Sequence, residues 1–135
     1  MNEKWKEFLK AVEKKCPQTH IYTQPEECLI YSHGCYPREY KWLLQGDYPY
    51  LTRAVVSPAD EAEISEIVKL ANEYKVGIIP YGGGSGIVGG TIPYQGEIMI
   101  DVKRLQDFSI NIVNGTAKAD ALQEAQDTLQ FKMTE

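Results

Sequence analysis

Apolar residues recur at helical spacing at the start of the chain, where Trp5, Phe8, Leu9 and Val12 fall on one face. An amphipathic helix is expected there. It should stop near Cys16-Pro17, because proline removes a donor and restricts the residue before it. From Gln18 to Leu51 no period is sustained, tyrosine and tryptophan are frequent, and Pro25, Pro37, Gly46 and Pro49 interrupt the stretch. Irregular structure is expected, with one short helix around Glu39–Leu44.

The pattern sharpens after Arg53. Ala54-Val55-Val56 reads as a short buried strand, followed by Ser57 as a helix N-cap, Pro58 at the first helical position, and Asp60, Glu61 and Glu63 near the positive helix end. Ile64, Ile67, Val68 and Ala71 mark the inner face of this helix, which should end near Tyr74-Lys75. Val76-Gly77-Ile78-Ile79 forms a second strand, expected to lie parallel to the first through a right-handed crossover. A third strand follows at Ile98–Val102, with Leu105 to Phe108 as a connection. Asn114-Gly115, between Ser109–Val113 and Thr116–Ala119, signals a tight hairpin, and a last helix is expected over Asp120–Leu129. The element order is that of an α/β (α+β) chain built on a βαβ unit. Its expected division is an N-terminal helix with an irregular aromatic-rich segment over 1–52, and the βαβ-containing domain over 53–135.

Composition narrows the function classes. A chain of 135 residues with 43% hydrophobic and 24% charged residues suits one globular core. The net charge is −5 and the basic residues are scattered, whereas binding to a phosphate backbone needs a clustered basic footprint; no nucleic-acid partner is expected. No apolar run approaches the roughly 20 residues of a membrane helix, so no membrane span is expected. The first residues lack a signal-peptide core, and a cytoplasmic location is expected. Three cysteines, an odd number, argue against a disulfide framework. Cys16, His20, Cys28, His33 and Cys35 raise the question of zinc, but their spacing lacks the close pairs of structural zinc sites, and no metal is expected.

The candidate chemistry lies in one run. Directly after the second strand come Pro80-Tyr81-Gly82-Gly83-Gly84-Ser85-Gly86-Ile87-Val88-Gly89-Gly90. Glycines let backbone amides approach a ligand with no Cβ in the way, and successive N–H groups can form an anion nest, to which Ser85 adds a hydroxyl. A Walker loop is excluded because no lysine follows the glycines. Gly84-Ser85-Gly86-Ile87-Val88-Gly89 satisfies G-x-G-x-x-G, but that fingerprint needs a helix starting within it, and Gly90, Pro93 and Gly96 break any such helix.

The series from Ala54 to Asp107 resembles the FAD-linked oxidase family, the vanillyl-alcohol-oxidase or PCMH-type flavoproteins. The matching parts, in order, are the strand with its Ser-Pro cap, the helix with Ile67-Val68-Lys69-Leu70-Ala71-Asn72-Glu73, the strand Val76–Pro80, and the glycine run. Gly89-Gly90 and Ile100-Asp101-Val102-Lys103-Arg104-Leu105 complete it. The resemblance implies the N-terminal subdomain of a PCMH-type FAD-binding domain, with FAD as cofactor. It implies that Gly82, Gly83, Gly84, Ser85, Gly86 and Ile87 cradle the FAD pyrophosphate, with Tyr81, Val88 and Gly89 completing the cofactor-binding set. No catalytic residue is assigned. Tyr31-Ser32-His33-Gly34 through Tyr48-Pro49 is similar to the alkylglycerone-phosphate synthase branch, with the D-lactate and glycolate dehydrogenases as the other main branch.

The activity so implied is a flavin-dependent oxidation of a small 2-hydroxy acid; the alternatives are an alkylglycerone-phosphate-synthase-like flavoenzyme or a non-catalytic chain that binds a partner. The family's second half, which carries the flavin-ring and substrate contacts, has no counterpart after Glu135. A truncated product is therefore expected, with substrate contacted through the missing part and with self-association or a companion subunit covering the exposed surface.

Overall fold

The computed structural model describes residues 3–106 with their side chains, together with the backbone of strands 108–111 and 116–119. Residues 1–104 form one compact unit and residues 105–135 a second. The first unit contains α1 (Lys4–Lys15), β1 (His20–Tyr22), α2 (Pro25–Tyr31), α3 (Pro37–Gln45), β2 (Val55–Ser57), α4 (Glu61–Tyr74), β3 (Ile78–Tyr81) and β4 (Ile98–Asp101). In the second, β5 (Phe108–Asn111) and β6 (Thr116–Ala119) pair antiparallel with Phe108 opposite Ala119. The hairpin is thus present, though its turn and the helix expected over Asp120–Leu129 lie outside the described residues.

The sheet of the first unit runs in the order β1-β2-β4-β3. β2 and β3 each pair parallel with β4, and β1 pairs antiparallel with β2. The helix between β2 and β3 therefore leads to a strand two places away, and β4 fills the gap. Side chains alternate between two covered faces, which is why β2 and β4 read as unbroken apolar runs. Val56, Ile98 and Ile100 meet Phe8, Leu9 and Val12 of α1 and Ile67, Leu70 and Ala71 of α4. On the opposite face Val55, Met99 and Tyr81 form a smaller cluster with Tyr22, Tyr31 and Ile79 packed against it.

Three expectations need correction. The stretch from Gln18 to Leu51 is not irregular with a single helix: it holds β1, α2 and α3. Pro25 and Pro37 each stand at the start of a helix, where the missing N–H has no partner to lose, so these prolines begin elements instead of breaking them. The N-cap of α4 is Asp60, not Ser57; its carboxylate accepts from the Glu63 amide at 2.8 Å, while Ser57 closes β2. The inner face of α4 carries Leu70 at 1% exposure in place of Val68 at 38%.

Glu63 ties this helix start to the turn before β1. Its carboxylate accepts from the amides of Gln18 and Ala59 and from the Thr19 hydroxyl, at 2.8–2.9 Å. Burial works against its charge, but these hydrogen bonds and the nearby Arg104 outweigh burial and hold its pKa below the ordinary carboxylate value. The Arg104 guanidinium in turn donates to the carbonyls of Gln18 and Ser57.

Candidate functional site

β3 is an edge strand whose C-terminal end runs straight into residues 82–97, a segment with no helix or strand that returns along the sheet to start β4. The ends of parallel strands are where open α/β sheets place their ligands. A connection of this length without regular structure is usually functional. Turns shape it: Gly84, Gly89 and Gly96 have φ of 66°, 77° and 71°, a region that L side chains avoid. The amide of Ile92 donates to Gly89 O at 3.2 Å and that of Gly96 to Pro93 O at 3.0 Å.

Tyr81 lies beneath the run and not on its outer face. The residue is 8% exposed, its hydroxyl donates to the His33 carbonyl at 3.1 Å, and its ring meets that of Tyr31 edge to face at 5.1 Å. The Tyr31 hydroxyl donates to Asp101 at 2.8 Å, and the Lys103 ammonium caps both rings at 4.3 and 5.2 Å. Burial, followed by the hydrogen bond to Asp101, pushes the Tyr31 phenol well above its ordinary value.

Gly34 lies against the run from behind. A β-carbon built on it would stand 2.8 Å from Thr91 Oγ1, 3.0 Å from Gly84 O and 3.5 Å from Gly86 O. The carbonyls of Gly84 and Gly86 therefore face inward. In a trans peptide the next N–H points the opposite way, and no peptide among the described residues is cis, so the amides of Ser85 and Ile87 point away from Gly34. Among the described residues no acceptor takes a hydrogen bond from any amide between Gly82 and Val88. A β-carbon on Gly82, Gly83 or Gly86 would meet nothing within 4 Å. These glycines are thus unexplained by packing, whereas an approaching ligand would need them bare. The residues from Tyr81 to Ile92 include no acid. The arrangement fits a phosphate-bearing group.

Of the sequence-derived set, Gly82, Gly83, Gly84, Ser85, Gly86 and Ile87 form this outward stretch, Tyr81 supports it, and Val88 is 84% exposed at the tip. Gly89 turns the chain back against Tyr36 and Ile92. Sequence reasoning missed the supports Gly34, Glu39 and Thr91. Behind the run is a cavity of about 340 Å³ bordered by Glu39, Tyr40, Trp42, Tyr48, Tyr81 and Gly84. Further aromatic contacts, Trp42 to Tyr50 at 5.5 Å and Tyr50 to Tyr94 at 4.7 Å, join α3 to the return segment. The three cysteines are free; Cys16 and Cys28 are buried and Cys35 is exposed. Among the described residues no three His, Cys, Asp or Glu side chains are grouped to hold a metal, and no helix is long and apolar enough to cross a membrane.

Residues 52–123 match the FAD binding domain family. The chain belongs to that family. FAD is its cofactor. Over 52 residues this FAD binding domain is 46% identical to a mitochondrial D-lactate dehydrogenase (cytochrome) of Arabidopsis thaliana, a match that covers 38% of the chain and 9% of the relative. Over 90 residues it is 32% identical to glycolate oxidase subunit GlcD of Bacillus subtilis, covering 66% of the chain and 17% of the relative. Its fold matches a solved alkyldihydroxyacetonephosphate synthase with a TM-score of 0.72 and 26% identity, over 83% of the chain and 21% of that protein. It also matches p-cresol methylhydroxylase, with a TM-score of 0.58 and 14% identity over 82% of the chain and 21% of that protein. The fold is thus the PCMH-type α/β arrangement, and the chain spans about a fifth or less of the length of these relatives.

Proposed function

We propose that residues 82–87 hold the FAD pyrophosphate through main-chain amides, with Tyr81 beneath them and Gly89 closing the far end. The observation that carries this reading is the outward direction of the Ser85 and Ile87 amides, set by the inward carbonyls of Gly84 and Gly86. Amides fixed in this way need no reorganisation to meet an anion, and each hydrogen bond to a charged oxygen contributes roughly 1.5–3 kcal/mol. The Ser85 hydroxyl is exposed and can add a further donor. When bound, FAD supplies the two-electron chemistry, and the chain supplies the position of its phosphate end.

The reaction is a flavin-dependent oxidation of a 2-hydroxy acid such as D-lactate or glycolate, which the D-lactate dehydrogenase and glycolate oxidase relatives support. The wider reach of the alkyldihydroxyacetonephosphate synthase match favours a second reading, a flavoenzyme that handles an alkyl ether of dihydroxyacetone phosphate. Purified protein incubated with FAD and desalted should keep flavin absorption. Anaerobic addition of D-lactate or glycolate, in the presence of the part that carries the substrate contacts in this family, should then bleach it. Retention of flavin with bleaching only by alkyldihydroxyacetone phosphate would favour the second reading, and failure to bind FAD in a titration would remove both.

A further inference from the structure

We propose that Gly34, held by Glu39, is a positioning residue that sets which way the amides of the glycine run face. This rests on the reading of that run as a pyrophosphate cradle.

Gly34 is about fifty positions before the run, yet a β-carbon added to it would abut the carbonyl oxygens of Gly84 and Gly86 and the Thr91 hydroxyl. Its φ is ordinary, so glycine is not needed there for backbone freedom. It is needed for closeness: a methyl group would come to 3.0 Å from the Gly84 carbonyl oxygen, which must then give way through a shift or rotation of its peptide. Rotation of the Gly84–Ser85 peptide turns the Ser85 N–H off the ligand side. The clash is thus transmitted directly into the donor array.

Glu39 keeps Gly34 in place. It sits in the first turn of α3 at 5% exposure, and its Oε2 accepts from the Gly34 amide. A buried carboxyl group is costly unless hydrogen-bonded, so its bond to the Gly34 amide is a local constraint. The neighbouring carbonyl, that of His33, is tied to Tyr81, the residue that opens the run. Gly34 is therefore fixed on both sides, by α3 and by the end of β3. The two buried polar atoms left without partners among the described residues, Glu39 Oε1 and Thr91 Oγ1, belong to residues that contact Gly34.

The test uses inorganic pyrophosphate as ligand, read on the amide resonances of Ser85 and Ile87 in the full chain. In the unsubstituted protein pyrophosphate should shift both. Gly86→Val serves as control for the cradle, because its side chain enters open space on the run itself. Gly34→Ala should weaken pyrophosphate binding at least tenfold and move the Ser85 and Ile87 amide resonances before ligand is added. The adjacent but outward Cys35→Ala should do neither.

Should Gly34→Ala unfold the chain, Glu39→Ala and Glu39→Gln carry the test. The alanine should weaken binding about fivefold, and the glutamine, which keeps an acceptor for the Gly34 amide, should restore most of it. Unshifted Ser85 and Ile87 resonances in the unsubstituted protein, or an indifferent Gly86→Val, would overturn the cradle reading. A responsive cradle with unchanged binding in Gly34→Ala, or equal losses in both Glu39 variants, would overturn only the role given to Gly34 and Glu39.

Discussion

The hydroxyl oxygen of Tyr81 stands where a side chain on Gly84 would begin, so a β-carbon there would overlap it. The run folds over its own first residue, and Gly84 adopts φ 66° there. Gly84→Ala should therefore destabilise the chain by about 1–3 kcal/mol, combining strained backbone with overlap. Chemical denaturation measures this, and Tyr81→Phe in the same chain should return part of the loss. A double-mutant cycle that shows no coupling would contradict the contact.

Glu63 predicts an acid limit. Its folded pKa is depressed, so its contribution is fully present above the ordinary value of 4.5 and is lost as pH falls through the folded value. Thermal unfolding followed from neutral to acid pH should show a midpoint that drops below that value. Glu63→Gln should flatten the acid limb and lower the neutral midpoint. Glu63→Ala, which strands three donors, should cost roughly 2–4 kcal/mol.

At alkaline pH the sign reverses in form. The Tyr31 phenol is raised in the folded state, so the stability it contributes is present below the ordinary value of 10.0 and fades as pH rises towards the folded value. Difference absorbance should find one tyrosine ionising late, and Asp101→Asn should bring that step to lower pH by removing the charged acceptor. An unchanged late step would assign the shift elsewhere.

The inner face of α4 is open to a simple comparison. Leu70→Ala should cost about 2–5 kcal/mol, as for other buried leucines, whereas Val68→Ala should stay within roughly 0.5 kcal/mol. Equal losses would show that the helix is turned differently from the structure.

How much of this could be read from the chain depends on how local the cause is. The spacing of Phe8, Leu9 and Val12, and the apolar runs of β2 and β4, report burial directly, and those elements were legible. The insertion of β4 between β2 and β3 was not, because periodicity says which face is buried and nothing about which strand is the neighbour. In the sequence Pro25 and Pro37 look like interruptions since proline has two meanings, and the burial of Cys28 and Glu39 that favours the helical one is a tertiary fact. Asp60 supplanted Ser57 because the cap position depends on where β2 releases the chain. In the site, the glycine run announced itself through composition. Gly34, Glu39 and Thr91 did not, since a lone glycine, an acid in a first helical turn and a threonine in a loop each have ordinary local explanations, and their roles arise only from contacts across long sequence separations.

The strand order also has a temporal side. β2 and β3 touch β4 and not each other, so neither has a parallel partner until the chain as far as Asp101 is available. During synthesis the open edges of these apolar strands stay unsatisfied while residues 82–97 emerge, and long-range parallel pairing is slow to form. Arrival of β4 closes the sheet and, in the same step, anchors the far end of the glycine-rich segment. Within this sheet the glycine-rich segment therefore takes its shape with sheet closure and not as a preformed local motif.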